Sequence, residues 1–248
     1  MGGKGVPLAM DEAPSPNHRP RPEGAAVDML VLHYTGMPTG AEALARLRDP
    51  EAGVSAHYLV EEDGRIFRLV PEALRAAHAG QSFWHGREAL NDVSIGIEIV
   101  HPGHQWGYRP FPALQMAAVA ELCLDILGRH AIPPRQVLAH SDIAPDRKQD
   151  PGELFDWQGL AREGIGLWPE GVPGLDPAPA EGGEAEALRL LGAIGYRTDL
   201  PLATLLTAFQ RHWRPERVDG RADAGTWRRL TAVADLCREG ERARPSRA

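Results

Sequence analysis

Five short runs, rich in apolar and β-branched residues and bounded by turn formers, recur through the front of the chain: DMLVLHY (28–34), AHYLVE (56–61), RIFRLV (65–70), SIGIEIV (94–100) and QVLAH (136–140). That pattern predicts strands, and EDGR (62–65) predicts the hairpin turn joining two of them. Between the strands, AEALARLRD (41–49) and PALQMAAVAELCLDILGRHAI (112–132) have helical spacing, and the second is apolar on most sides, as a helix buried against a sheet must be. A mixed α/β domain follows.

The rhythm then changes. Residues 1–27 are rich in Pro and Gly and lack periodicity, which predicts an extended arm, and a second Pro/Gly-rich stretch (168–183) reads as a linker with a boundary near Pro179. Behind it, apolar residues recur at helical spacing in three segments: Leu188, Leu191 and Ile194; Leu202, Leu205, Leu206 and Phe209; Trp227, Leu230 and Val233. Pro201 suits the first turn of the second helix and Asp223 the N-cap of the third. The expected organisation is an arm (1–27), an α/β domain with a mixed central sheet flanked by helices (28–167), a linker (168–183) and a small all-α three-helix domain (184–248). Every candidate for chemistry lies before residue 179, so the tail reads either as a separable module that holds glycan or as a bundle that packs on the α/β domain and props up the loop of His140.

Composition narrows the partners. With 43% hydrophobic and 25% charged residues the chain has the material for a real core. A formal net charge of −7 without a basic run argues against nucleic acid. Cys123 and Cys237, far apart on predicted helices, read as buried hydrophobes rather than as a disulfide framework. No stretch is long and apolar enough to span a membrane. Residues 1–24 hold no apolar run of the secretory kind, so the expected compartment is the cytoplasm, with the periplasm the alternative if a leader precedes this sequence.

Candidate chemistry gathers in AHSDIAPDRKQDPG (139–152), too polar and too interrupted by proline to be core. Histidine and carboxylate ligate zinc, and a catalytic zinc takes three protein ligands and leaves one position open. His140 and Asp150 are two candidates, to be brought together by a folded, non-helical loop; His33, ending its strand at a turn, is the third. Alone, His33 would read as a half-buried structural histidine. In SIGIEIV, Ile95, Ile97 and Ile99 share one face and Gly96, Glu98 and Val100 the other. A carboxylate there is costly to bury without a partner, and Gly96 leaves room for another group to approach; a solvated outer face is the alternative.

The ordered motifs LVLHYTGM, SAHYLV, HAGQSFWHG, LNDVSIGIEIV and HSDIAPDRKQDPG resemble the zinc-dependent N-acetylmuramoyl-L-alanine amidases of the second amidase family, over roughly residues 16–165. The tail, through AFQRHWRPERVDGRADAGTWRRL, is similar to a three-helix peptidoglycan-binding module. The resemblance implies Zn2+ held by His33, His140 and Asp150, with Glu98 as the acid–base group and Lys148 as donor to the developing oxyanion. Without it, Lys148 would read as a solvated charge among acids. The implied reaction cleaves the amide between N-acetylmuramic acid and L-alanine, in peptidoglycan fragments or polymer. His78, Trp84 and Asn91, in a long Gly-containing loop, are candidate substrate contacts; His57 reads as structural, and Asp142 and Asp146 as groups that orient His140 and Lys148. The rival readings are a peptidoglycan-binding or sensing protein and a zinc peptidase of the stem peptide. A monomer is expected.

Overall fold

The computed structural model describes residues 8–170 and 183–242. Eight strands are present among them: β1 (Asp11–Glu12), β2 (His18–Pro20), β3 (Met29–Tyr34), β4 (Tyr58–Val60), β5 (Ile66–Arg68), β6 (Leu74–Ala76), β7 (Ser94–Ile99) and β8 (Val137–Ala139). Six form one mixed sheet in the order β1-β5-β4-β7-β3-β8, and β2 pairs with β6 in a separate ribbon. The central strands β4, β7, β3 and β8 run parallel, while β4 and β5 form the antiparallel hairpin expected around residues 62–65.

Alternation along the central strands sorts their side chains into two layers. Leu30 and Leu32 of β3 and Ile95, Ile97 and Ile99 of β7 pack on one face beneath α2 (Ala113–Arg129), which buries Val119, Leu122, Cys123 and Ile126 there. α1 (Gly40–Arg48) lies over a smaller cluster, where Leu47 meets Leu59, Leu69 and Val70. Met29 and Val31 of β3, with Leu138 of β8, point to the opposite face.

That opposite face is covered by the tail. The three segments expected as helices are α5 (Glu184–Ile194), α6 (Leu202–Trp213) and α7 (Ala224–Arg242), and Asp223 caps the last by accepting from the Thr226 amide at 2.9 Å. Their apolar sides do not close on one another alone: Leu191, Leu205, Phe209 and Leu230 belong to the same buried cluster as Met29, Val31, Trp84, Leu138 and Ile143. The tail is thus the second layer of the amphipathic sheet, as in the expected alternative in which the three helices pack on the α/β domain.

The arm is stitched down: β1 pairs with the sheet edge and β2 with β6, and the Arg21 guanidinium donates to the carbonyls of Glu72 (2.9 Å), Asp92 (2.8 Å) and Ser94 (2.9 Å). The His140 loop, expected to be non-helical, opens with one helical turn, α3 (His140–Ile143), and α4 (Trp157–Arg162) follows it. Pro179 and most of the expected linker lie outside the described residues; its first residue, Trp168, is docked, with its ring 6.3 Å from that of Trp213 and beneath the Arg229 guanidinium. No helix among the described residues is long and apolar enough to cross a membrane.

Candidate metal centre and active site

Parallel pairing of β3 and β7 sets His33 directly opposite Glu98, both on the face away from α2. β8, on the other side of β3, delivers His140 at the start of α3, and the loop after α3 folds back so that the Ser141 amide donates to the Asp150 carbonyl at 3.0 Å. His33, His140 and Asp150 thereby meet, all buried. His33 Nδ1 stands 2.9 Å from His140 Nδ1 and 3.2 Å from Asp150 Oδ2, and His140 Nδ1 lies 2.9 Å from the same oxygen.

The surrounding hydrogen bonds decide what those atoms present. The Ser94 hydroxyl donates to the Leu90 carbonyl at 2.7 Å, so its oxygen accepts from His78 Nε2 at 3.1 Å. His78 Nδ1 is then the acceptor for His33 Nε2–H at 3.0 Å, which leaves a lone pair on His33 Nδ1. His140 Nε2 donates to the Ala79 carbonyl at 3.2 Å, leaving its Nδ1 a lone pair as well. Two imidazole lone pairs and a carboxylate oxygen converge at hydrogen-bond distance with no proton assigned between them. Such an arrangement is repulsive unless a cation stands among the three, so the residues fit a metal ion. Burial foremost, with the neighbouring His140, holds the His33 imidazole down to about 4, which favours the neutral ligand form.

Glu98 borders the same space. Its Oε2 is buried and makes no hydrogen bond with the protein, and burial, followed by the charge of Asp150, pushes its carboxyl well above the ordinary value. A cation held by His33, His140 and Asp150 acts on it in the opposite sense. Glu98, His140 and Asp150 line a cleft of about 350 Å³ together with Lys148, Arg147 and Tyr34.

The remaining expected site residues are placed differently. His78 lines the cleft but is only 8% exposed, and its two nitrogens are committed to His33 and Ser94, so it orients His33. The space that Gly96 leaves is filled by this ring: a Cβ at residue 96 would stand 2.4 Å from His78 Cγ. Asn91 is buried, its carbonyl accepting the amides of His78 (3.0 Å) and Ala79 (2.9 Å), a backbone clasp in place of a substrate contact. Trp84 is 1% exposed and packs edge-on against Tyr196 and close over Gly195, where a Cβ would come within 2.5 Å of the indole; it is walled off from any sugar. His57 braces the sheet, accepting the Gly96 amide at 3.0 Å. Asp142 is buried and accepts the Ala139 amide at 2.9 Å, whereas Asp146 is exposed.

Several participants escaped the sequence reading. Arg147 closes the loop over the cleft, donating to the carbonyls of Ala79 (2.6 Å) and Gln81 (2.9 Å). Tyr34, His104 and Glu153 form a polar rim through contacts of 2.9 Å and 3.2 Å. Tyr196 and His212, from the tail, both bond to Asp142. Arg147 lay within the polar loop that the sequence marked, and His212 carried a signal as a histidine one turn beyond Phe209 on the apolar stripe of α6.

Fold and site together have the form of a metal hydrolase. Residues 23–153 match the family model described as N-acetylmuramoyl-L-alanine amidase. The N-acetylmuramoyl-L-alanine amidase AmiD of Escherichia coli (strain K12) is 41% identical over 224 residues, covering 81% of this chain and 79% of its own length. The 1,6-anhydro-N-acetylmuramyl-L-alanine amidase AmpD of Enterobacter cloacae is 36% identical over 161 residues, 58% of this chain and 84% of the relative. The solved complex of E. coli AmiD with the substrate anhydro-N-acetylmuramic acid-L-Ala-D-gamma-Glu-L-Lys superposes with a TM-score of 0.77 at 38% identity, covering 88% of this chain and 93% of that one. The chain belongs to the N-acetylmuramoyl-L-alanine amidase family.

Proposed function

We propose that this protein hydrolyses the amide joining the lactyl group of N-acetylmuramic acid to L-alanine in peptidoglycan fragments, with zinc held by His33, His140 and Asp150. The observation that carries the reading is the convergence of three buried acceptor atoms beside the unpartnered oxygen of Glu98, in an open cleft. Two imidazoles and one carboxylate, with no thiolate, are a donor set suited to catalytic zinc. When bound, the metal supplies Lewis acidity to the scissile carbonyl and acidifies water at its open position.

The chain's own residues do the rest. The Ser94–His78 relay and the Ala79 carbonyl hold both imidazoles in the ligating tautomer. Glu98 Oε2, free of protein partners, accepts the proton of the attacking water and returns it to the departing nitrogen of L-alanine. Lys148, on the cleft wall, offers its ammonium to the carbonyl oxygen as charge gathers there. A binding-only protein has no need of this acid–base group beside a complete ligand set.

Mass spectrometry of a muropeptide digest, with elemental analysis of the pure protein, tests the reading. Free stem peptide beginning with L-alanine supports it. A shorter peptide identifies a stem peptidase, and an unchanged muropeptide a binding protein; either overturns it.

A further inference from the structure

The apolar stripe of α6 is interrupted by one polar side chain. Leu205, Phe209 and Trp213 are buried as an amphipathic helix requires, and His212 beside them is only 1% exposed. Burying an imidazole is unfavourable unless its hydrogen-bonding capacity is used. His212 Nδ1 donates to Asp142 Oδ2 at 2.6 Å, and its ring lies between Trp157 and Trp213, each with centroids 3.9 Å away. Tyr196, just beyond the end of α5, is 2% exposed and donates its hydroxyl to the other Asp142 oxygen. With the Ala139 amide at 2.9 Å, three donors from three parts of the chain converge on a carboxylate that is itself 1% exposed.

Asp142 sits two residues from His140 on α3, a helix of four residues. One turn of helix gains little from its own hydrogen bonds, so its position is set by whatever packs against it. On the side of Asp142, that is the tail. At the far end of the same loop, Arg211 of α6 approaches Gln149 at 3.4 Å and Glu153 at 3.8 Å. The helix bearing His212 therefore touches the metal loop on both sides of Asp150.

We propose that Tyr196 and His212 are positioning residues of the metal centre: by clamping Asp142 they fix α3, and with it the direction of His140 Nδ1, so that the C-terminal helices set the metal affinity of the catalytic cradle. The inference rests on the metal-amidase reading above. It gives the tail a part in the chemistry in addition to its part in the core.

The test uses the full chain, stripped of metal and titrated with zinc against a chromogenic chelator, beside kinetics on a soluble muropeptide. Tyr196→Phe keeps the ring, His212→Phe keeps an aromatic side chain, and each removes one donor. Each is expected to fold, to bind zinc about 10- to 100-fold more weakly, and to lose kcat more than it raises KM, as found when groups supporting metal ligands are removed. His212→Asn places an amide donor near the position of Nδ1 and is expected to recover most of the affinity. Leu230→Ala, a buried change in the same cluster that removes no donor to Asp142, reports stability loss alone and should leave zinc affinity unchanged in the folded protein. Wild-type zinc affinity in folded Tyr196→Phe and His212→Phe, as in Leu230→Ala, would overturn the proposal. Should His212→Phe not fold, Tyr196→Phe decides the matter in the same titration. Tight zinc binding by the wild-type chain without muropeptide cleavage would sink the proposed reaction instead, leaving the positioning test readable in the titration.

Discussion

Gly96→Ala is a single-methyl test of how the sheet supports the proposed metal centre. The added Cβ would stand 2.4 Å from His78 Cγ and 2.5 Å from Nδ1, whereas ordinary contact begins at 3.4 Å, so the ring must withdraw by about 1 Å. It has little freedom to do so, since Nε2 is bonded to Ser94 and the His57 ring stands 5.7 Å away, centroid to centroid. Retreat by about 1 Å takes the 3.0 Å contact with His33 Nε2 out of hydrogen-bond range and releases the ligand's tautomer and tilt. Overpacking of this kind typically costs about 1–3 kcal/mol of stability, and loss of a ligand's outer partner about 10- to 100-fold in metal affinity. Urea unfolding of the metal-free protein measures the first, and zinc competition titration the second. The double variant Gly96→Ala/His78→Ala separates them: removing the ring relieves the clash but not the lost support, so adding the methyl to His78→Ala costs little stability while affinity stays low. Wild-type zinc affinity in Gly96→Ala would refute the reasoning, as would a stability loss that persists undiminished once the ring is gone.

Glu98→Gln removes the acid–base group and no ligand, and is expected to keep zinc while losing about 10²–10⁴-fold in kcat; a near-normal turnover number would move that role to another group. Glu72 offers a pH test remote from the site: burial raises its carboxyl, but hydrogen bonds from Arg129, His130 and Tyr58 outweigh that and hold it down to about 2. A depressed carboxylate stabilises the fold above its unfolded value near 4.5 and loses that contribution as pH falls through about 2. With Arg129 39% exposed and solvent screening the pair, Glu72→Gln is expected to cost about 1–2 kcal/mol at neutral pH, the gap to wild type closing between those two values in urea titrations; a gap constant with pH would contradict it. A chain ending at Glu170 keeps every proposed catalytic residue yet uncovers Met29, Val31, Trp84 and Leu138, and is expected to lose its cooperative thermal transition together with its activity; a soluble, active truncation would show that the tail is dispensable after all.

Much of this protein was legible without coordinates, and for a local reason. A period of two in SIGIEIV places Ile95, Ile97 and Ile99 against α2 and leaves Gly96 and Glu98 opposite, and helical spacing marks α2 and all three tail helices. The metal candidates were legible because ligand chemistry restricts residue types so strongly that a histidine ending a strand and a histidine–aspartate loop stand out.

What the sequence could not decide is which surface covers which. Periodicity shows that α5, α6 and α7 each bury a stripe, but a stripe is satisfied equally by its sister helices or by a sheet, and only packing reveals that Met29 and Val31 share the core with Leu205 and Phe209. The same limit moved Trp84 and Asn91 from an imagined groove into the interior, and turned His78 from a substrate contact into a support for His33. It also hid the clamp on Asp142, whose partners lie 54 and 70 residues away in sequence. Hydrogen bonds across such separations leave no local pattern, because the entropy of closing the intervening chain is met by the whole core and not by the residues that come to touch.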